Sequence, residues 1–183
     1  FDSANTASAP HGRITVDSPH LRASSEPFIR SAVAHALVHH VQYSYINYND
    51  WPSWGGWTVE GTARLMEDKI TLDNDITPNN TWYVGEVNGY LADPNRTLMG
   101  LSYPTALFWN YLTEQLGTPF AEPARGVDMI ERFWRATDGH DPDSIHYLRQ
   151  AIHHFDADLS LEDIFRDFAI TNYTHNLDVS ALS

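Results

Sequence analysis

The chain has no cysteine among its 183 residues. This absence excludes disulfide bonds, thiolate metal ligands and cysteine nucleophiles, so a metal site here must use His, Asp or Glu side chains. Basic residues are also few, because 11 Lys and Arg stand against 24 Asp and Glu, for a formal net charge of −13. A surface of this charge repels nucleic acid and anionic membranes, and we expect neither as a partner.

Long apolar runs are missing as well, since none approaches the roughly 20 residues that a membrane-spanning helix needs. Aromatic residues are abundant instead, with 6 Trp, 9 Tyr and 8 Phe. This composition predicts an ordered chain with a substantial core rather than a disordered one. We expect the small, polar residues 1–12 to form an N-terminal arm and residues 13–183 to form a single domain.

Two histidines four residues apart carry the clearest chemical signal. The pattern predicts a helix over Pro27–Tyr45, and on it His35 and His39 leave the same face one turn apart. This is the spacing of the His-Glu-x-x-His zinc site, in which the Glu after the first His is the general base. Here that position is Ala36. The sequence therefore has the spacing of the metal ligands without the proton acceptor.

Glu60 is the candidate third ligand. It follows His39 after 20 intervening residues, at the start of a second predicted helix over Val59–Ile70. Two helices joined by a loop can bring a carboxylate to the open side of a two-histidine site, which completes a three-ligand catalytic shell. Glu67, two turns after Glu60 on the same face, could orient a ligand histidine, as Asp68 could. For Gln42 we expect a bond to a neighbouring segment and no catalytic role.

Around these residues the chain resembles the gluzincin clan of zinc metallopeptidases, especially its secreted bacterial members. The resemblance extends over four segments: Ala34–Gln42, Trp57–Asp68, Tyr103–Gly117 and Phe165–Ala169. It implies an α+β, zincin-like catalytic domain that is mostly helical with a small sheet, and a secreted location. It also implies Zn²⁺ held by His35, His39 and Glu60, and endopeptidase activity on proteins or glycoproteins. The substrate would lie extended as an added edge strand.

Ala36 is the departure from the family pattern. Losing a general base costs on the order of 10²–10⁴ in rate, so we expect the chain to be inactive or severely impaired. Either an active peptidase was disarmed by a Glu-to-Ala change, or the chain is a natural pseudo-peptidase that binds a peptide or glycopeptide. The retained surroundings of Ala36 favour the first explanation. A third reading is a structural domain whose histidine pair binds no metal.

The transition-state oxyanion needs a donor beside the metal, usually Tyr, His or Arg in such enzymes. Tyr103 is the first candidate and His146 a weaker one. His153 and His154 compete with them, although two adjacent helical residues cannot both face one cleft.

The remaining pattern predicts a strand at Arg13–Asp17, a loop over Asn47–Trp57 and a strand at Trp82–Val84. Further helices are expected at Tyr103–Leu116, Val127–Ala136, Asp143–Phe155 and Leu161–Tyr173. Calcium is a possible second metal at the oxygen-rich segment Asp73–Asp75 with Asn79 and Asn80. The segment lacks the spacing of a calcium-binding loop, so a plain turn is the favoured interpretation.

Overall fold

The computed structural model describes residues 7–8, 14–16, 26–71, 78–93 and 95–174. These residues are mainly helical. The α-helices are α1 (Glu26–Gln42), α2 (Trp51–Trp54), α3 (Gly56–Thr71), α4 (Pro78–Leu91), α5 (Ala106–Leu116), α6 (Val127–Ala136), α7 (Ser144–Phe155) and α8 (Leu161–Thr174). Short 3₁₀ turns lie at Tyr48–Asp50, Leu98–Gly100 and Tyr103–Thr105. Within the described ranges, none of the helices combines the length and apolar character that crossing a membrane requires.

The expected α+β class is wrong. Within the described residues, β structure is limited to β1 (Ala7–Ser8) and β2 (Thr15–Val16), which pair antiparallel with Ala7 opposite Val16. Two residues per strand do not make a layer on which helices could pack. The core consists of helices packed on helices, so the small sheet of a zincin-like domain is not what organises this part of the chain.

Two of the local predictions are also wrong. Residues Trp82–Val84 continue helix α4 instead of forming a strand, because α4 packs against α1, α3 and the turn at Tyr103–Thr105, and such tertiary contacts override local propensity. The predicted loop over Asn47–Trp57 contains helix α2, with Pro52 in its first turn, where proline is tolerated. Trp54 is buried there, so burial of a large side chain favours this short helix.

The C-terminal helices are confirmed closely. The prediction Val127–Ala136 matches helix α6, and Asp143 caps α7 by accepting a hydrogen bond from the backbone N–H of His146 over 3.0 Å. Residues Thr15–Val16 of the predicted first strand lie in β2, whereas the rest of that prediction falls partly outside the described residues. The oxygen-rich segment Asp73–Asp75 also lies outside them.

Helix α3 packs against both α1 and α5. Gly61 permits the closest approach, since a Cβ atom there would lie 2.1 Å from Thr105 Oγ1 and 2.9 Å from the Trp109 ring. The Trp57 carbonyl accepts hydrogen bonds from the Thr105 hydroxyl (2.8 Å) and the Trp109 indole (2.7 Å). These contacts fix the first turn of α3, directly before Glu60.

A second, small apolar cluster covers one side of helix α1. It consists of the buried Ala32 and Ala36, against which Ile14, Val33 and Tyr43 pack. Ala36 is 1% exposed. The methyl group of Ala36 therefore lies in an apolar cluster that Ile14 helps to cover.

Candidate metal centre

Three side-chain atoms from two helices converge at one point. Helix α1 contributes His35 and His39, and helix α3 contributes Glu60. The two Nε2 atoms are 2.9 Å apart, and Glu60 Oε2 lies 3.1 Å from Nε2 of His35 and 3.3 Å from Nε2 of His39. Both histidines are 6% exposed. The structure thus brings together the three ligands that the sequence predicts.

These separations suit a zinc ion. Ligand atoms about 2.0–2.1 Å from zinc lie about 3.3–3.4 Å apart in a tetrahedron and about 2.9 Å apart at right angles. The observed separations of 2.9, 3.1 and 3.3 Å fall in this range. Two imidazoles and one carboxylate form the donor set of catalytic zinc sites, and they leave a fourth position for water or substrate. His35, His39 and Glu60 therefore fit the metal that the sequence implies.

A buried carboxylate orients His35. Its Nδ1 lies 3.2 Å from Glu67 Oε2, and the same carboxylate accepts hydrogen bonds from the Ser31 hydroxyl and from Arg64 Nη1, the latter over 2.6 Å. Ser31, Arg64 and Glu67 are all buried. The prediction that Glu67 lies on the ligand face is confirmed. A ligand imidazole whose other nitrogen donates to a carboxylate has its ring orientation fixed and its basicity increased.

A buried amide orients His39. The Nδ1 atom of His39 lies 2.7 Å from Oε1 of Gln42. Gln42 Nε2 in turn donates to the Val59 carbonyl and to the Thr62 hydroxyl, both over 2.9 Å. Gln42 does bond a neighbouring segment, as expected, but it bonds a candidate ligand at the same time. Both histidines thus have an acceptor at Nδ1, and the Nε2 atoms of both face Glu60.

The charges at the site favour a bound cation. Burial by itself lowers the pKa of His35, but hydrogen bonds to Glu60 and Glu67 outweigh it and raise that pKa above its ordinary value. Burial by itself raises the pKa of Glu60, but hydrogen bonds from His35 and His39 lower it well below its usual range. Glu60 is therefore ionised, and positive charge beside it is favoured.

Half-buried aromatic side chains surround the two imidazoles. The Tyr103 ring centroid lies 5.7 Å from that of His35, and Arg64 Cζ lies 4.7 Å from the Tyr103 ring. On the other side, Trp51 lies 5.1 Å from His39 and 5.3 Å from Tyr43, measured between ring centroids. Tyr103, the first candidate for oxyanion stabilisation, thus lies next to a ligand.

The alternative candidates lie elsewhere. His146, His153 and His154 are exposed on helix α7. His146 Nε2 contacts Gln150 of the same helix over 2.7 Å, and His153 Nδ1 contacts the Ala157 carbonyl over 3.2 Å. None of the three belongs to the group of candidate metal ligands found among the described residues.

Sequence reasoning missed two contributors to the site, the role of Gln42 and the hydroxyl of Ser31. A signal for Ser31 exists, because it precedes His35 by four residues and so shares its helix face. The sequence spacing of Gln42, three residues after His39, also places it one turn away. Spacing alone does not reveal that its amide spans to helix α3.

Comparisons of the chain with protein-family models, with curated proteins and with solved structures find no match.

Proposed function

We propose that the chain is a zinc-dependent endopeptidase domain of the gluzincin type in a form without its general base. It would bind zinc through His35, His39 and Glu60 and hold a peptide, with hydrolysis severely impaired. The observation that carries the proposal is the convergence of three ligand atoms within 4.8 Å, with an acceptor behind each histidine. Such an arrangement orients lone pairs at a shared point before any metal arrives.

The protein's contribution to the reaction can be stated residue by residue. Bound zinc supplies a Lewis acid that polarises a peptide carbonyl and acidifies a bound water. Tyr103, beside His35, is the candidate donor to the oxyanion, and Arg64 stacked on its ring restricts where that ring can lie. Tyr43 and Trp51 provide an apolar wall next to His39, against which a substrate side chain could pack.

Ala36 sets the limit on turnover. In the family pattern, a carboxylate at this position takes a proton from the water and returns it to the leaving amine. A methyl group can do neither, and this chain keeps binding and orientation without the proton transfer. The partner in this proposal is a peptide, a protein or a glycoprotein in a secreted setting.

A natural pseudo-peptidase, acting as a peptide- or glycopeptide-binding module, is the second candidate. One observation favours it: Ala36 is 1% exposed and packs in an apolar cluster with Ala32 and Ile14. A carboxylate there would have to leave this cluster or be buried at a cost. The surroundings of position 36 thus suit the residue that is present.

The deciding experiment compares the parent chain with Ala36→Glu and Ala36→Gln. We expect each protein to bind one zinc ion, as measured by metal analysis after dialysis. Only Ala36→Glu should cleave a denatured protein substrate, about 10²–10⁴-fold faster than the parent and in a chelator-sensitive manner. Ala36→Gln is the matched control, because it has the same size and shape without the base.

Two outcomes contradict the proposal in different ways. If all three proteins bind zinc and Ala36→Glu remains inactive while folded by circular dichroism, the binding-module candidate replaces the peptidase. If the parent binds no zinc, the metal-site assignment is wrong and both candidates fail.

A further inference from the structure

We infer that Gln42 is a positioning residue of the metal centre, which holds His39 in its Nδ1–H form and fixes the position of Glu60. A single amide lies between the second ligand and the third. Its Oε1 atom faces His39 Nδ1 at 2.7 Å, and its Nε2 atom faces the carbonyl of Val59, the residue directly before Glu60, at 2.9 Å. Gln42 is fully buried.

The orientation of this amide follows from its neighbours. A backbone carbonyl can only accept hydrogen bonds, so the NH₂ group of Gln42 must face Val59. The Thr62 hydroxyl lies 2.7 Å from the Thr58 carbonyl, to which it donates its single proton. It can therefore only accept from Gln42 Nε2 at 2.9 Å, and it also accepts from the Trp134 indole at 3.3 Å.

The tautomer of the neutral His39 ring then follows by elimination. With both N–H groups of the amide used on helix α3, the oxygen of Gln42 is the atom that faces the imidazole. In the neutral ring, Nδ1 must carry the proton that this oxygen accepts, and Nε2 must carry the lone pair. A metal can bind only the lone pair, and Nε2 is the nitrogen that faces Glu60 and His35.

The same amide also fixes a distance. Helix α1 carries His39 and helix α3 carries Glu60. Gln42 joins these helices next to both ligands, because it bonds His39 itself and the residue directly before Glu60. The distance between His39 and Glu60 is therefore constrained by this one side chain. His35 differs, because its partner Glu67 is a charged group anchored by Arg64. Gln42 holds His39 as Glu67 holds His35, but it adds no charge to the site.

The first test is nitrogen-15 NMR of the metal-free parent at mildly alkaline pH, where an ordinary histidine is neutral. We expect the His39 signal of the Nδ1–H form. A predominant Nε2–H form would overturn the inference. This measurement needs no metal and no substituted protein, so it does not depend on the proposed function.

The second test uses zinc and cobalt(II) affinities of Gln42→Met and Gln42→Glu. Methionine keeps the length and removes both polar groups, and we expect about 10–100-fold weaker metal binding with an altered cobalt absorption spectrum. Glutamate keeps the acceptor for His39 and loses the donors to helix α3, so it should weaken metal binding less than methionine does. The control is Gln150→Met on the exposed face of helix α7, and this variant should bind both metals as the parent does.

The two variants separate positioning from a merely structural tether. If Gln42→Glu and Gln42→Met lose affinity equally, the bonds to helix α3 matter and the acceptor does not, which overturns the assignment of His39. Unchanged affinity and spectrum in a folded Gln42→Met would overturn the whole inference. The metal arm rests on the proposed function. A parent that binds no zinc contradicts that function, while the NMR result still decides the state of His39.

Discussion

Helices α1 and α7 each carry histidines on one face, yet the two regions differ in every property that makes a ligand. His35 and His39 are buried, and each has an acceptor on its far nitrogen that belongs to a buried network. His146 and His153 are exposed, and their contacts stay within α7 or the turn after it. Histidines at helical spacing are therefore not enough for a metal site, and the site is defined by a second helix that supplies a carboxylate and an orienting partner.

Removing a ligand should have the largest effect on zinc binding. His39→Ala is expected to abolish stoichiometric zinc binding, because a site with one imidazole and one carboxylate lacks the three-ligand shell. His153→Ala should bind zinc as the parent does. Metal analysis after dialysis against a weak chelator measures both. Equal zinc content in the two variants would mean that the metal binds somewhere other than the described centre.

The orienting network should respond next. Glu67→Gln removes the carboxylate that pairs with the buried Arg64 guanidinium, which is expected to lower the free energy of unfolding by about 3–5 kcal/mol. Zinc affinity should fall about 10–100-fold, because Glu67 also holds His35. Urea unfolding and metal titration measure the two effects.

The matched control for that substitution is Glu131→Gln. Glu131 pairs with Arg135 on the surface of α6, and both side chains are more than half exposed. Its loss should leave stability and zinc affinity unchanged, because water screens such pairs. Similar losses in the two variants would show that Glu67 acts by charge balance alone and not by its place behind His35.

Packing beneath Glu60 should give the smallest of the three effects. Gly61→Ala inserts a methyl group 2.1 Å from Thr105 Oγ1, and we expect a loss of about 1–3 kcal/mol of stability. Gly89→Ala in helix α4 meets nothing within 4 Å and should stabilise by up to about 1 kcal/mol, as alanine does in helices. Opposite signs in urea unfolding are the expected result, and equal signs would contradict the close approach of α3.

Much of the site could be predicted because it follows helical periodicity. His35 with His39 and Glu60 with Glu67 each lie on one helix face, and a repeat of 3.6 residues places them there without any knowledge of the fold. Helix α6 could be predicted in the same way, since Val127–Ala136 has a clear amphipathic pattern.

The features that could not be predicted depend on tertiary contacts, which sequence periodicity does not reveal. Residues Trp82–Val84 have local strand propensity, but helix α4 packs against α1 and α3, and these contacts override that propensity. The loop expected around Trp51 folds into a helix because burying Trp54 favours it. The function of Gln42 arises from its reach to Val59, and such a reach is set by how α1 and α3 pack.

The bond between Gln42 and Val59 also reduces the entropic cost of assembling the ligands around a metal. Bringing two chain segments 17 residues apart together has an entropic cost, which grows by only about 0.6 kcal/mol for each doubling of the loop. Here the folded protein closes that loop by itself, with an uncharged cross-link made of its own amide. A zinc ion would then find its ligands already gathered, and it would stabilise the fold through mass action instead of being needed to create it.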